Sequence, residues 1–321
     1  MSTLIPTDNE SLNTYYIKTE EEFVQLIKNN NLDSTLKLNP GLMAKFEDLL
    51  NFAFVNAYEK NNYSNRSHLF LQRVLYYINR LNFFWFDDIE NYINEDSTAL
   101  FSLSKQIEAE WAKWELNHVQ IDSLECLPYE EALNNRVNED LNPLPTEETL
   151  FLRNEMIQSG YKRLLAITSL DGLVEASQLS RVLGGVGNEI QLMLAKIFWE
   201  EYGGGKLSHK HSSYFINMLK ELNMETVPEA YFDVVPWEVL ANINHSFLLS
   251  EKKKNYLRYV GGLLYIEVSA PSAFLNYQKA GERIGLTEAA TGYWSTHIKE
   301  DIRHGEWMLN KVAVPLANKY P

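Results

Sequence analysis

Apolar residues recur every three or four positions in nearly every segment of this chain, and no sustained alternation of apolar and polar residues marks a strand. Such a chain buries its apolar surface by packing helix on helix, so the expected fold class is all-α. With 321 residues, 45% hydrophobic and 22% charged, it has enough apolar surface for one large or two smaller domains. Thr19-Glu20-Glu21-Glu22 has the form of a capping box and is expected to open a helix over FVQLIKNN. Further helices are expected over 41–60, 66–82 and 97–118. Between about 120 and 145 the pattern weakens at Pro128, Pro143, Pro145 and several Asn and Asp residues, before Thr146 caps the next helix. This divides the chain into an N-terminal helical domain, 1–145, and a second domain, 146–321. In the second, helices are expected over 147–182, 187–202, 207–222, 236–247, 252–282 and 288–313. Gly203-Gly204-Gly205, the loop from Pro228 to Pro236, and Gly285 separate them, and Pro271 is expected to kink the fifth.

Charge and cysteine usage exclude several classes. The net charge is −14 and the one dense basic run is Lys252-Lys253-Lys254, so a phosphate backbone has little to hold and nucleic acid is not an expected partner. The single cysteine, Cys126, cannot form an internal disulfide, and MSTLIPTDNESLNTYY lacks the basic and apolar regions of a signal peptide. A cytoplasmic location is expected. The apolar stretch from Tyr259 to Leu275 is interrupted by Glu267 and falls short of the roughly 20 residues that span a bilayer, so no membrane segment is expected. The cluster Phe83-Phe84-Trp85-Phe86 reads as core of the N-terminal helices, and any exposed part of it suits a homodimer.

The chemistry concentrates in HIKEDIRHGEW, residues 297–307. A helix advances about 100° per residue, which puts Asp301 about 40° and His304 about 20° from His297, all on one face. Tyr293, Trp294 and Met308 continue that face, so the polar triplet sits in an apolar stripe, where buried charges need partners or a metal. Glu267 shares its face with Leu263, Leu264, Ala270 and Phe274. In FWEEYGGGKLSHKHSSYF, Glu201 follows Leu194, Ile197 and Phe198 on an apolar face while Glu200 stacks above Lys196, so Glu201 is the inward one. His211 precedes Tyr214, Phe215 and Met218 at helical spacings, whereas His209 falls nearer the turn, so His211 is preferred. Three imidazoles with three carboxylates suit iron or manganese better than zinc. Carboxylates also bridge ions, and a dinuclear iron centre between helices fits best.

The EYGGG segment followed by a histidine, then Glu267, then HxxxDxxH at 297–304, resembles the heme-oxygenase-like di-iron oxidase and oxygenase superfamily over about residues 147–321. The resemblance extends to VAVPLANKYP at the end of the chain. The spacing of ten residues from Glu201 to His211 and of thirty from Glu267 to His297 agrees with members of that superfamily. It implies a seven-helix heme-oxygenase-like bundle that binds two iron ions. Glu201, His211, Glu267, His297, Asp301 and His304 would be the ligands, with O2 as co-substrate activated through a peroxo-di-iron(III) species.

Glu175, in SLDGLVEASQL, lies 26 residues before Glu201, where N-oxygenase members carry an additional carboxylate ligand; Asp171, Ser177 and Gln178 nearby equally suit a surface glutamate of an amphipathic helix. With Glu175, the resemblance implies a non-heme di-iron monooxygenase that N-oxygenates an amine- or guanidine-containing, amino-acid-like small molecule. The alternative is an O2-dependent desaturase or C–C or C–N bond-cleaving oxidase of an amino or fatty acid. N-oxygenase relatives share an N-terminal helical region that dimerises. They also bear a cupin that is not found here, so any N–N bond formation by that cupin is expected to be absent. Gly184-Gly185-Val186-Gly187 reads as a helix-breaking turn and no flavin or nicotinamide fingerprint is seen, so electrons would come from a separate reductase. Helices around Tyr214, Trp237, Tyr265, Phe274 and Trp294 are expected to wall the substrate pocket.

Overall fold

The computed structural model describes residues 5–6, 8–59, 64–82, 84, 88–119, 126–185 and 187–320. Among them the chain forms helices and turns and no strand. It divides into two compact units, one of Met1–Gln120 with Pro236–His245, the other of Ile121–Val235 with Ser246–Pro321. The expected boundary at 145 is thus displaced: residues 126–145 pack with the second unit, where Val137 joins an apolar cluster, and 236–245 return to the first.

In the first unit, α1 (Asn9–Ile27) is followed by α2 (Leu32–Leu38), α3 (Ala44–Tyr58), α4 (Asn65–Arg80) and α5 (Thr98–Leu116). The expected helix start at Thr19 is corrected: α1 begins where the Asp8 side chain accepts from Ser11 N, and it runs unbroken through a buried Thr19. Glu20 does not cap; its Oε1 accepts from Arg73 Nη1 at 3.1 Å and from the Tyr77 hydroxyl at 3.2 Å. A side chain engaged inward by another helix is no longer available to the local backbone. Phe23, Phe46 and Phe70 stack through the core of this unit. Phe84, expected in that core, is 90% exposed, and Phe83, Trp85 and Phe86 lie outside the described residues.

The second unit contains α6 (Tyr129–Leu141), α7 (Glu147–Asn154), α8 (Gln158–Gly172), α9 (Glu189–Glu201) and α10 (His211–Glu221). The division between units falls within α11 (Trp237–Ser250), after which come α12 (Tyr256–Arg283), α13 (Glu288–Trp307) and α14 (Val314–Lys319). Thr146 caps α7 as its sequence suggests. The single helix expected over 147–182 is broken into α7, α8 and a 3₁₀ turn, Ser177–Val182, by non-helical residues at 155–157 and by Ala176 in the left-handed region, φ 61°. Pro271 lies within α12, which continues through it. The expected helix 288–313 passes at Met308 into a π-helical turn, Met308–Ala313. No described helix is long and apolar enough to cross a membrane.

Two apolar clusters organise this unit. One gathers Leu194, Ile197, Val260, Leu264, Val268, Met308 and Val312; the other gathers Tyr161, Leu165, Phe215, Met218, Ala280, Ala290 and Trp294. Along α13 the second cluster ends at Trp294 and the first begins at Met308. The stretch between them holds the polar triplet.

Candidate metal centre

Three helices deliver the polar layer through apolar periodicity. On α9, Leu194 and Ile197 fix the buried face and Glu201 takes the next inward position. On α12, Leu264 and Val268 flank Glu267, and on α13 His297, Asp301 and His304 are all buried. The turn after α9 then brings the chain back. Gly203 has φ 65°, and a Cβ there would lie 2.4 Å from His209 C and Lys210 N, so only glycine closes it. His211 emerges as the first residue of α10 with 3% exposure, while His209 stays exposed.

The seven candidate side chains form two groups. Ligand-type atoms of Glu175, Glu201, His211 and His297 all lie within 4.8 Å of one another, and so do those of Glu201, Glu267, Asp301 and His304. Glu201 belongs to both, with one oxygen turned to each: Oε2 is 2.7 Å from His211 Nδ1, and Oε1 is 3.3 Å from His304 Nδ1. In the first group His297 Nε2 lies 2.6 Å from Glu175 Oε1 and 3.1 Å from His211 Nδ1. In the second, His304 Nδ1 lies 3.3 Å from Glu267 Oε2 and 3.9 Å from Asp301 Oδ1.

Glu175 is not on a helix surface. It stands in the broken segment just before Ala176, near buried Ser177 and Gln178, and accepts from the Tyr293 hydroxyl at 3.0 Å. The ring tautomers follow from the acceptors. His297 Nδ1 faces the Tyr293 carbonyl at 2.9 Å and must donate to it, leaving Nε2 for the first group. His304 Nε2 donates to Glu200 Oε2 at 2.9 Å, leaving Nδ1 for the second.

Electrostatics show what the layer lacks. Burial pushes the Glu267 and Asp301 carboxyls up, Asp301 well above the usual range, with neighbouring carboxylates adding to it. Burial also pushes Asp171 up to about 6, helped by the negative charge of Glu175. Burial would lower His304, but hydrogen bonds to Glu201, Glu267 and Glu200 and the charge of Glu267 lift it to about 11. In the metal-free chain protons therefore compensate carboxylates that would otherwise repel each other. Even so, Glu175 Oε2 and Asp301 Oδ1 are buried without a hydrogen bond. Buried acceptors of this kind cost free energy unless something cationic binds between them. Four carboxylates and three imidazoles suit a hard-to-borderline divalent metal such as iron, and the residues fit it.

Of the aromatic residues expected to wall a pocket, Phe274 and Trp294 do lie beside the layer. Phe274 meets His297 at 5.2 Å and Trp294 at 5.0 Å between ring centroids. Two expectations are corrected: Tyr265 is 53% exposed, and Trp237 stacks on His68 in the first unit, 4.3 Å between centroids. Three neighbours of the site were missed. Glu200, outward by its spacing, meets His304 Nε2; Tyr293, on an apolar face, donates its hydroxyl to Glu175; and the Lys210 ammonium lies 4.5 Å above the Tyr202 ring and 2.7 Å from Ser212 Oγ. Tyr293 shares the periodic face of the triplet, but the partner of its hydroxyl, like the contacts of Glu200 and Lys210, lies on a distant helix or turn that local spacing does not reveal.

An all-helical unit with acidic and imidazole side chains gathered between two apolar clusters has the make-up of a metal-binding helical bundle. Residues 162–321 match the family described as iron-containing redox enzymes, and this half of the chain belongs to it. The chain is also similar to the nitrosourea synthase of Streptomyces achromogenes subsp. streptozoticus, 27% identical over 150 residues. That similarity covers 47% of this chain and 32% of the relative, so the chain spans about a third of the relative's length.

Proposed function

We propose that this protein is a non-heme di-iron oxygenase that uses O2 to N-oxygenate an amine- or guanidine-bearing, amino-acid-like substrate. The observation that carries the reading is Glu201, shared by two groups and turning one carboxylate oxygen to each. Glu175, His211 and His297 would hold one ion with it, and Glu267, Asp301 and His304 the other. Two divalent ions would balance the four carboxylates. Iron supplies O2 activation when bound, and two electrons come from a separate reductant. The protein's own contribution is to hold the imidazoles as the required tautomers, to exclude bulk water with the two apolar clusters, and to present Phe274, backed by Trp294, beside His297. The Tyr293 hydroxyl fixes the Glu175 carboxylate by hydrogen bonding.

N-oxygenation is favoured over desaturation or bond cleavage by Glu175, a seventh residue in the layer, and by the similarity to a nitrosourea synthase. A homodimer in the cytoplasm remains part of the proposal. The test is anaerobic Fe(II) titration of the full chain, followed by O2 exposure with amines, guanidines and amino acids. Saturation at two ions per chain and products heavier by one oxygen atom support it. Saturation at one ion overturns the dinuclear reading, and loss of two hydrogens, ammonia or carbon dioxide from the substrate overturns N-oxygenation.

A further inference from the structure

We propose that Glu200, held in place by Arg303, is a positioning residue that sets the tautomer and orientation of His304 and so governs the metal affinity of the second group alone. This rests on the di-iron reading above. Glu200 Oε2 lies 2.9 Å from His304 Nε2, on the side of the ring opposite to the one that faces Glu201, Glu267 and Asp301. A carboxylate there keeps a proton on Nε2, so that Nδ1, which faces the layer, is the nitrogen that gives up its proton to a metal. Adjacent residues on a helix point about 100° apart. Thus α9 supplies Glu201 to the layer and, from the next position, the residue that grips an imidazole of α13.

The other oriented imidazole is built differently. His297 Nδ1 donates to the main-chain carbonyl of Tyr293, one turn back on the same helix, and needs no side chain for it. His304 depends on a half-buried carboxylate that is itself anchored. Arg303 Nη2 lies 2.7 Å from Glu200 Oε2 and also pairs with Glu300, and its guanidinium stands 5.0 Å over the Trp307 ring. Glu200, Glu300 and His304 could by geometry hold an ion of their own. Arg303 already meets both carboxylates, which assigns this outer group to support instead of binding.

The experiment titrates the full-length chain anaerobically with Fe(II) and, separately, with Co(II), reading stoichiometry, affinity and the Co(II) visible bands. Glu200→Ala is expected to weaken one of the two equivalents about 10–100-fold and leave the other at its parent affinity. Glu200→Gln, whose amide oxygen still accepts from Nε2–H, should recover much of that loss. Imidazole ¹⁵N spectra of the chain loaded with diamagnetic Zn(II) should show the His304 Nε2–H protected from exchange in the parent and the glutamine variant and exposed to exchange in the alanine variant. Circular dichroism and thermal melting check that both variants are folded. Two equivalents with unchanged affinities in Glu200→Ala would overturn this inference and leave the di-iron reading standing. Equal weakening of both with a large drop in melting temperature, or a third ion lost with Glu200, would overturn it too. A parent chain that takes up no ion would overturn both readings.

Discussion

Asp301 shows how the site sets function against stability. Burial and the neighbouring Glu267 and Glu201 charges hold its pKa well above an ordinary carboxylate. A group raised in the folded state favours folding below its unfolded pKa and loses that advantage as pH rises through the folded value. Asp301→Asn, neutral and of similar size, is therefore expected to melt higher than the parent when both are metal-free at neutral or higher pH, with the gap closing in acid. The same variant should lose one equivalent of iron. Melting curves across pH with a chelator present, paired with metal analysis, check both halves. His68 behaves oppositely. Burial among Trp114, Trp237 and Tyr58 lowers it to about 4 from 6.5. The unfolded chain then binds the proton first, so stability from this residue is full above about 6.5 and is lost as pH falls toward 4. The loss should amount to roughly 2–3 kcal/mol. Replacing His68 with Phe should flatten that part of the denaturant-derived stability profile; an unchanged slope would count against the assignment.

Between helices, the close approach of α12 and α13 decides whether Glu267 meets its partners. A Cβ on Gly305 would lie 3.2 Å from the Glu267 carbonyl oxygen and 3.2 Å from Val268 Cγ2. The oxygen is backbone and cannot turn aside. Gly305→Ala should therefore force the helices apart, costing about 1–3 kcal/mol by overpacking. It should also weaken the ion held by Glu267, Asp301 and His304 more than the other. Comparing the two metal affinities in this variant separates a local shift from general destabilisation. Helix content was legible in the spacing of apolar residues, and the inward faces of α9, α12 and α13 placed Glu201, Glu267, His297, Asp301 and His304 together. The breaks were not legible. Nothing in residues 147–182 announces that Ala176 adopts a left-handed conformation, yet that break carries Glu175 to His297.

For the whole chain, the buried carboxylates of the candidate metal layer store unfavourable free energy that a bound cation would relieve. Ions that bind only the folded state stabilise it by about 2.7 kcal/mol when free metal is 100 times Kd, or roughly 5–10 °C in melting temperature. Differential scanning calorimetry with Fe(II) under anaerobic conditions should show this rise in the transition of the second unit, and excess chelator should reverse it. Absence of any shift would argue that the buried carboxylates are compensated by protons alone. The division into units also has a consequence for truncation. Because 236–245 belong with 1–120, removing the N-terminal half leaves α11 without the residues against which Trp237 and Asn244 pack, so a chain cut at 145 is expected to be less soluble than the intact protein.

The order of amino acids was enough to indicate a helical protein and to pick out most of the side chains that gather in its candidate metal layer. Periodicity reports which face of a helix turns inward, and charged residues on such a face demand compensation. Folding in three dimensions was needed for the rest: the sharing of Glu201 by two groups, the hold of Glu200 on His304, and the entry of Glu175. These depend on ring rotations, backbone breaks and distances between helices far apart in the chain, quantities that no local spacing encodes.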